Sequence, residues 1–150
     1  MDVVRASGSL PFLSKMVNIN GVPYLDGGIS DSIPIRKAIT DGCDKLVLIL
    51  TRPRGYRKSS SKISFFADIC YKKNPMLAEV LKKRYMVYNE TLDYIEALEE
   101  KNEIFIIRPS ETVEISRLEK ESSKLENLYN LGVRDSENCF DKMIEFLGKN

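Results

Sequence analysis

A nearly continuous apolar run most strongly limits the folds that this chain can adopt. Residues 45–50 read Lys-Leu-Val-Leu-Ile-Leu, so every position after the lysine is aliphatic. Such a run is typical of a strand that is buried on both faces of a parallel sheet. A short strand at residues 22–25, a loop, and a helix that Pro34 opens and Gly42 ends precede this run. The order strand, loop, helix, strand predicts an α/β fold.

Patterns on both sides of this unit predict further elements. Residues 3–6 look like the end of a helix, which Gly8 and Pro11 terminate. Asn20-Gly21 between two short apolar runs predicts a β-hairpin. The polar, basic stretch 51–61 is a predicted surface loop. Apolar residues at steps of three and four over residues 77–98 predict one amphipathic helix of roughly 25 residues.

The remaining part of the chain is predicted to be mostly helical. A short apolar helix is expected around residues 63–70 and a strand near residues 103–107. Residues 115–131 predict a helix with Gly132 as its C-cap, and residues 135–147 predict a final helix.

Composition excludes several classes of site. The 150 residues contain no histidine, which rules out a Ser-His-Asp triad, a Cys-His pair and any His-ligated metal. Three scattered cysteines without a C-x-x-C pair favour a reducing compartment over a disulfide framework or a zinc site. Lys and Arg number 23 against 22 Asp and Glu, so a net charge of +1 gives no reason to expect nucleic acid. We expect no cofactor.

Neither a run of 18 apolar residues nor a basic region followed by an apolar stretch at the N-terminus is present. The expectation is therefore a cytoplasmic protein, with peripheral membrane contact as an open possibility.

The tripeptide Asp26-Gly27-Gly28 is the candidate catalytic motif. An aspartate after a strand of an α/β sheet lies on the edge where ligands bind, and two glycines allow other groups to approach closely. The competing interpretation is an Asp-Gly turn, which is very common and is favoured when the tripeptide is taken alone.

The neighbours of Asp26 carry a family resemblance. In order, the chain reads Ala6-Ser7-Gly8-Ser9-Leu10-Pro11, Tyr24-Leu25-Asp26-Gly27-Gly28-Ile29, Pro34 and Gly42-Cys43-Asp44. This set resembles the C-terminal part of patatin-like phospholipases. Three later segments resemble the tail of a bacterial branch of that family, so the likeness extends over nearly the whole chain. They are Arg108-Pro109-Ser110, Ile115-Ser116-Arg117-Leu118-Glu119 and Leu128-Tyr129-Asn130-Leu131-Gly132.

The resemblance implies a fold and an activity. It implies that residues 1–61 are the C-terminal part of a three-layer α/β/α sandwich, and that residues 62–150 are a helical region packed on it with an edge strand near 103–107. It implies a Ser-Asp dyad that cleaves lipid esters, with Asp26 as general base. The family's Gly-rich oxyanion loop and Gly-x-Ser-x-Gly nucleophile elbow are absent from these 150 residues. We therefore expect a fragment that is inactive alone and needs the missing N-terminal half as its partner.

Other residues have weaker functional interpretations. Asp31 is the nearest competing carboxylate, with Asp41 and Asp44 behind it, although a helix cap is the favoured interpretation of Asp31. Cys43 is expected to be a small buried residue without a base to activate it.

Two segments suggest contact with lipid. A basic loop could meet phospholipid headgroups, and the apolar residues after it could form a lipid-facing lid. A solvated loop and an ordinary packed helix are the favoured interpretations of these two segments. The loop contains Arg52, Arg54, Arg57 and Lys58, and the lid would contain Phe65, Phe66, Ile69 and Tyr71.

A second hypothesis for the whole chain is a non-catalytic domain that binds a partner or a membrane through residues 52–71. Unpaired strand edges of such a piece would also favour self-association.

Overall fold

The computed structural model of the chain describes residues 1–61, 66–112, 115 and 119–148. The chain forms two compact units. The first consists of Met1–Ile35 and Lys58–Asp93, and the second consists of Arg36–Arg57 and Tyr94–Asn150. Both units draw on sequence before and after residue 61, at which the sequence analysis divides the chain. That division stays a prediction.

The first unit begins with a helix and a hairpin. Helix α1, Asp2–Ser7, ends at Gly8, as predicted. Strands β1, Val17–Ile19, and β2, Val22–Tyr24, pair antiparallel. Asn20 and Gly21 between them have φ angles of 52° and 83°, the left-handed backbone that a two-residue hairpin turn needs. The predicted hairpin is confirmed.

The core of the first unit lies where a short turn meets two helices. Helix α3, Ala67–Cys70, and helix α4, Pro75–Glu100, follow the loop. Residues 62–65, the start of the predicted short helix, lie outside the described residues. Buried side chains from the turn and both helices form one cluster, against which Leu25, Tyr71 and Leu77 pack. Its members are Ile29, Ala67, Ala78 and Leu81.

Helix α4 confirms the predicted long amphipathic helix. Pro75 occupies its first position, where a missing N–H costs no intrahelical bond. The buried residues of α4 recur mainly at steps of three, and Ile95 is fully buried. The positions up to Asp93 belong to the first unit, and those from Tyr94 belong to the second.

The second unit contains a parallel strand pair. Strand β3, Leu46–Ile49, pairs in parallel with strand β4, Ile104–Ile107. The parallel arrangement and the strand near 103–107 are thus confirmed. The expectation that β3 is buried on both faces is wrong, because it has one neighbouring strand in the described part of the chain and Ile49 is 76% exposed.

Two predictions about topology also need correction. Strand β2 pairs with β1 and not with β3, so the predicted strand–loop–helix–strand order does not form one sheet in the described residues. The predicted helix between these two strands is present as helix α2, Ile35–Thr40, which begins directly after Pro34. Helices and small sheets agree with the α/β class, whereas a three-layer sandwich is not confirmed.

The C-terminal helix is longer than expected. Helix α5 runs without a break over Ser122–Gly148, so the prediction of two helices with Gly132 as a cap is wrong. A glycine inside a helix costs only about 1 kcal/mol, which packing of the neighbouring buried Leu131 offsets. Phe146 further along α5 packs on Phe105 of β4, with ring centroids 5.9 Å apart. Residues 116–118 of the first predicted helix lie outside the described ones.

Among the helices of the described ranges, none combines the length and the apolar character that crossing a membrane requires.

Candidate functional site

Asp26 lies in a tight turn two residues after β2. Its carboxylate Oδ1 accepts a 2.8 Å hydrogen bond from the N–H of Gly28 and so caps a short 3-10 turn, Gly27–Ile29. Its own N–H donates a 3.0 Å bond to the carbonyl of Ser9. These two bonds fix the backbone on both sides of the carboxylate.

The second oxygen of the Asp26 carboxylate, Oδ2, accepts no hydrogen bond within the described residues. The residue is half-buried. A carboxylate that is held through one oxygen and open at the other can accept a proton from a third group. The geometry is compatible both with a general base and with a capped turn.

The hydroxyls of the upstream serines, Ser7 and Ser9, donate hydrogen bonds to carbonyl groups of α1. Ser9 is buried and its hydroxyl donates a 2.8 Å bond to the carbonyl of Arg5. Ser7 is exposed and donates to the carbonyl of Val4 at 2.9 Å. The structure therefore brings the Ser7–Ser9 stretch to Asp26 through the Ser9 backbone, and not through a hydroxyl.

Arg84 of α4 is a site residue that the sequence analysis did not identify. Its Nε donates a 2.7 Å hydrogen bond to the carbonyl of Gly28. A sequence signal existed, because Arg84 lies three positions after Leu81 and seven after Leu77 on the apolar face of the helix. A half-buried cation on such a face needs a polar partner, and the partner is the Asp26 turn.

The competing carboxylates lie in less enclosed positions. Asp31 is exposed, and α2 starts only at Ile35, so Asp31 is not at the N-cap position of that helix. Asp41 is exposed and accepts a hydrogen bond from Lys37 one turn earlier in sequence. Asp44 is exposed. The prediction that Cys43 is buried is wrong, since the turn after α2 leaves its side chain exposed.

The predicted basic loop has partners within its own units. Arg57 donates two hydrogen bonds to the carboxylate of Glu96, at 3.2 and 3.0 Å. The hydrogen bond from Arg57 lowers the pKa of Glu96 below 4.5. The Arg52 guanidinium lies over the ring of Tyr56, 5.1 Å from its centroid. The guanidinium of Arg54 lies 4.0 Å from the carboxylate of Glu100. These contacts favour a structured surface loop.

The predicted lid residues differ from one another in exposure. Phe66 and Ile69 are 59% and 74% exposed. Tyr71 is half-buried, its ring packs on Phe12, and its hydroxyl accepts a 2.9 Å bond from the N–H of Phe12. Phe65 lies outside the described residues. Tyr71 is therefore structural, whereas Phe66 and Ile69 remain available for contact.

Comparison with known proteins divides the chain into two matched regions. Residues 1–39, which include Asp26, match the family model of patatin-like phospholipases. Residues 74–148 match the model of a domain of unknown function, DUF6363. The chain belongs to the DUF6363 family. The patatin-like match is thus shorter than the resemblance suggested, because the three later segments at residues 108–110, 115–119 and 128–132 fall within the DUF6363 match.

One curated relative is the "Uncharacterized protein YjjU" of Escherichia coli (strain K12), which is 48% identical over 54 residues. The similarity covers 35% of the present chain and 15% of that protein. No solved structure matches the DUF6363 chain.

The DUF6363 match begins just before α4 and includes Arg84. Gly28, which accepts the Arg84 hydrogen bond, lies in the patatin-like match. The two matched regions therefore meet at the Asp26 turn. Within the described part of the chain, no group of three or more acidic or cysteine side chains is arranged to hold a metal ion.

Proposed function

We propose that this chain supplies the general-base aspartate of a patatin-like acyl hydrolase that cleaves lipid esters. The observation that carries the proposal is the Asp26 turn, in which a half-buried carboxylate is fixed through Oδ1 while Oδ2 is open. The turn lies inside residues 1–39, the stretch that matches patatin-like phospholipases. These 150 residues contain no histidine, so a base that this chain supplies has to be another group, such as a carboxylate.

The proposed reaction is acyl transfer through a serine. Oδ2 of Asp26 takes the proton of a serine hydroxyl as the serine oxygen attacks the ester carbonyl. Backbone N–H groups of a Gly-rich loop stabilise the oxyanion that forms. The alcohol leaves with the proton that Asp26 took from the serine. Water then attacks the acyl-enzyme, gives a proton to Asp26 and releases the fatty acid, and Asp26 returns that proton to the serine oxygen. In this proposal the serine and the oxyanion loop come from the remainder of the patatin-like fold, which is also the partner of these 150 residues.

A reconstitution experiment tests this proposal. The chain is joined to a patatin-like segment that carries Gly-x-Ser-x-Gly, and hydrolysis of a short-chain p-nitrophenyl ester and of phospholipid vesicles is measured. We expect hydrolysis by the joined protein and none by the chain alone. Ester hydrolysis that persists after the nucleophilic serine is changed to alanine would show that the proposed dyad is not responsible.

Exposed apolar side chains favour a second candidate, a domain that binds membrane surfaces without catalysis. Phe66 and Ile69 are exposed, and Lys72 and Lys73 just beyond them are exposed as well. Apolar side chains beside lysines are suited to the surface of anionic bilayers. This candidate also accommodates the proposed cytoplasmic location with peripheral membrane contact.

Vesicle sedimentation separates the two candidates. The chain is mixed with vesicles of phosphatidylcholine that contain about 30% phosphatidylserine and so mimic an anionic leaflet. Binding that Phe66→Ser with Ile69→Ser abolishes, while Val3→Ser does not, would support the membrane candidate. Absence of binding by the unchanged chain would remove it.

A further inference from the structure

The Asp26 turn and helix α4 meet through apolar packing. Leu25 before the motif and Ile29 after it both pack in the cluster that includes Ala78 and Leu81 of α4. Ile29 is 6% exposed and Ala78 is fully buried. Because the residues on both sides of Asp26 are anchored on α4, this helix fixes where the turn lies.

Arg84 adds a directional contact to that packing. A guanidinium Nε that donates to a carbonyl at 2.7 Å forms a charge-assisted hydrogen bond, which is stronger than a neutral one. Arg84 is half-buried, so its contact with the carbonyl of Gly28 is less screened than an exposed pair would be.

Gly28 is in contact with both charged groups at once. A Cβ atom at residue 28 would lie 3.2 Å from Oδ1 of Asp26 and 3.7 Å from the terminal guanidinium nitrogen Nη2 of Arg84. The absence of a side chain therefore lets the carboxylate and the guanidinium approach from the same side of the residue.

The hydrogen bonds form a relay through one residue. The carbonyl of Gly28 accepts hydrogen bonds from Arg84 Nε and from the hydroxyl of Ser32, each at 2.7 Å, and the N–H of Gly28 donates to Oδ1 of Asp26. With both backbone polar groups of Gly28 engaged, the direction of its N–H is fixed, and so is the orientation of the carboxylate that it binds. An unanchored turn would let Oδ1 and Oδ2 exchange roles.

We propose that Arg84 is a positioning residue for Asp26, so that the first part of the DUF6363 domain sets the orientation of the carboxylate in the patatin-like turn. The catalytic meaning of this contact rests on the proposed function above. The structural relay itself does not depend on that function and is testable on the chain alone.

Hydrogen exchange at the Gly28 amide tests the relay. Exchange is followed by NMR in the unchanged chain, in Arg84→Met, which keeps the apolar stem but removes the donors, and in Arg84→Lys, which keeps a cationic donor. Lys83→Met is the matched control, because Lys83 is exposed and pairs with the exposed Glu79 one turn earlier on α4. We expect Arg84→Met to accelerate exchange at Gly28 by about tenfold, because the charge-assisted bond is lost and only the neutral bond from Ser32 remains on the carbonyl.

The pattern of exchange decides between positioning and simple stability. Acceleration confined to the Gly27–Ile29 turn, partial restoration by lysine and no change in Lys83→Met support the proposal. Unchanged exchange at Gly28 in Arg84→Met overturns it. Acceleration of equal size across all of the α4 amides, or complete unfolding in both the methionine and lysine variants, also overturns it, because Arg84 would then stabilise the fold without orienting the turn.

The joined protein described above provides the catalytic readout. In that protein, Arg84→Met is expected to lower kcat by about tenfold with little change in KM. A misdirected base reduces stabilisation of the transition state but leaves substrate binding unchanged. Arg84→Lys should recover part of that loss. An equal rise in KM without a change in kcat would contradict positioning. If Asp26→Asn leaves hydrolysis undiminished, the proposed function fails, whereas the Gly28 exchange result still stands by itself.

Discussion

The side-chain amide of Asn89 binds both backbone polar groups of Lys58. Its Oδ1 accepts a 2.8 Å bond from the N–H of Lys58, and its Nδ2 donates a 3.0 Å bond to the carbonyl of the same residue. The amide thus satisfies the loop backbone as a neighbouring strand would. The contact joins the end of the basic loop to α4 within the first unit.

Removal of this amide should weaken the first unit. Asn89→Ala is expected to lower the free energy of unfolding by about 1–3 kcal/mol, because two half-buried backbone groups lose their partner. Urea denaturation followed by circular dichroism measures the change, and Glu90→Ala at the next, exposed position is the control. Equal stability of the Asn89 and Glu90 variants would show that water replaces the amide without cost.

Acid should destabilise the chain partly through Glu96. The hydrogen bond from Arg57 lowers the pKa of Glu96 in the folded state, whereas the unfolded state has the ordinary value near 4.5. The pair therefore contributes stability above pH 4.5, and this contribution is lost as the pH falls from 4.5 through the lower folded-state pKa. Its size is about 1 kcal/mol or less, because both side chains are partly exposed.

A pair of variants isolates this pH dependence. Unfolding free energies are measured at neutral pH and at acid pH for the unchanged chain and for Glu96→Gln. The glutamine variant should lose less stability on acidification, whereas Glu126→Gln at an exposed position should behave as the unchanged chain does. An identical acid loss in Glu96→Gln would contradict the assignment.

Gly132 offers a test of the continuous helix α5. It lies inside Ser122–Gly148, and a Cβ atom there would meet nothing within 4 Å. Gly132→Ala should therefore raise the melting temperature and stabilise the chain by about 0.5–1 kcal/mol. Gly42→Ala is the contrasting variant, because φ is 83° at Gly42 and an added side chain strains that backbone. A loss of stability in Gly132→Ala would indicate a break in α5 at this residue.

Local signals in the sequence predicted most of the elements. The Asn20-Gly21 turn, the start of α4 at Pro75 and the strand at Ile104–Ile107 depend on short-range chemistry that the residues themselves encode. Gly132 misled the prediction because a glycine is equally compatible with a cap and with a helix interior. In the structure Gly132 lies in the helix interior, next to the buried Leu131.

Long-range pairing could not be derived in the same way. The apolar composition of β3 predicts burial on both faces, yet a sequence pattern does not say which segments cover them. At the candidate site, the sequence singled out Asp26 but not Arg84, because Arg84 reaches the turn through the carbonyl of Gly28, which lies 56 positions earlier in the chain. Such a contact is visible only once α4 lies on the turn.

The most direct test of the central claim is the turnover of Asp26→Asn in the protein that includes the nucleophilic serine. Asparagine retains the Oδ1 acceptor for the Gly28 N–H, so the turn is preserved while the basic oxygen is lost. The account predicts that kcat for ester hydrolysis falls by about 100-fold or more, as loss of a general base does. The exposed Asp31→Asn serves as control and should keep full activity. Undiminished turnover in Asp26→Asn would contradict the account.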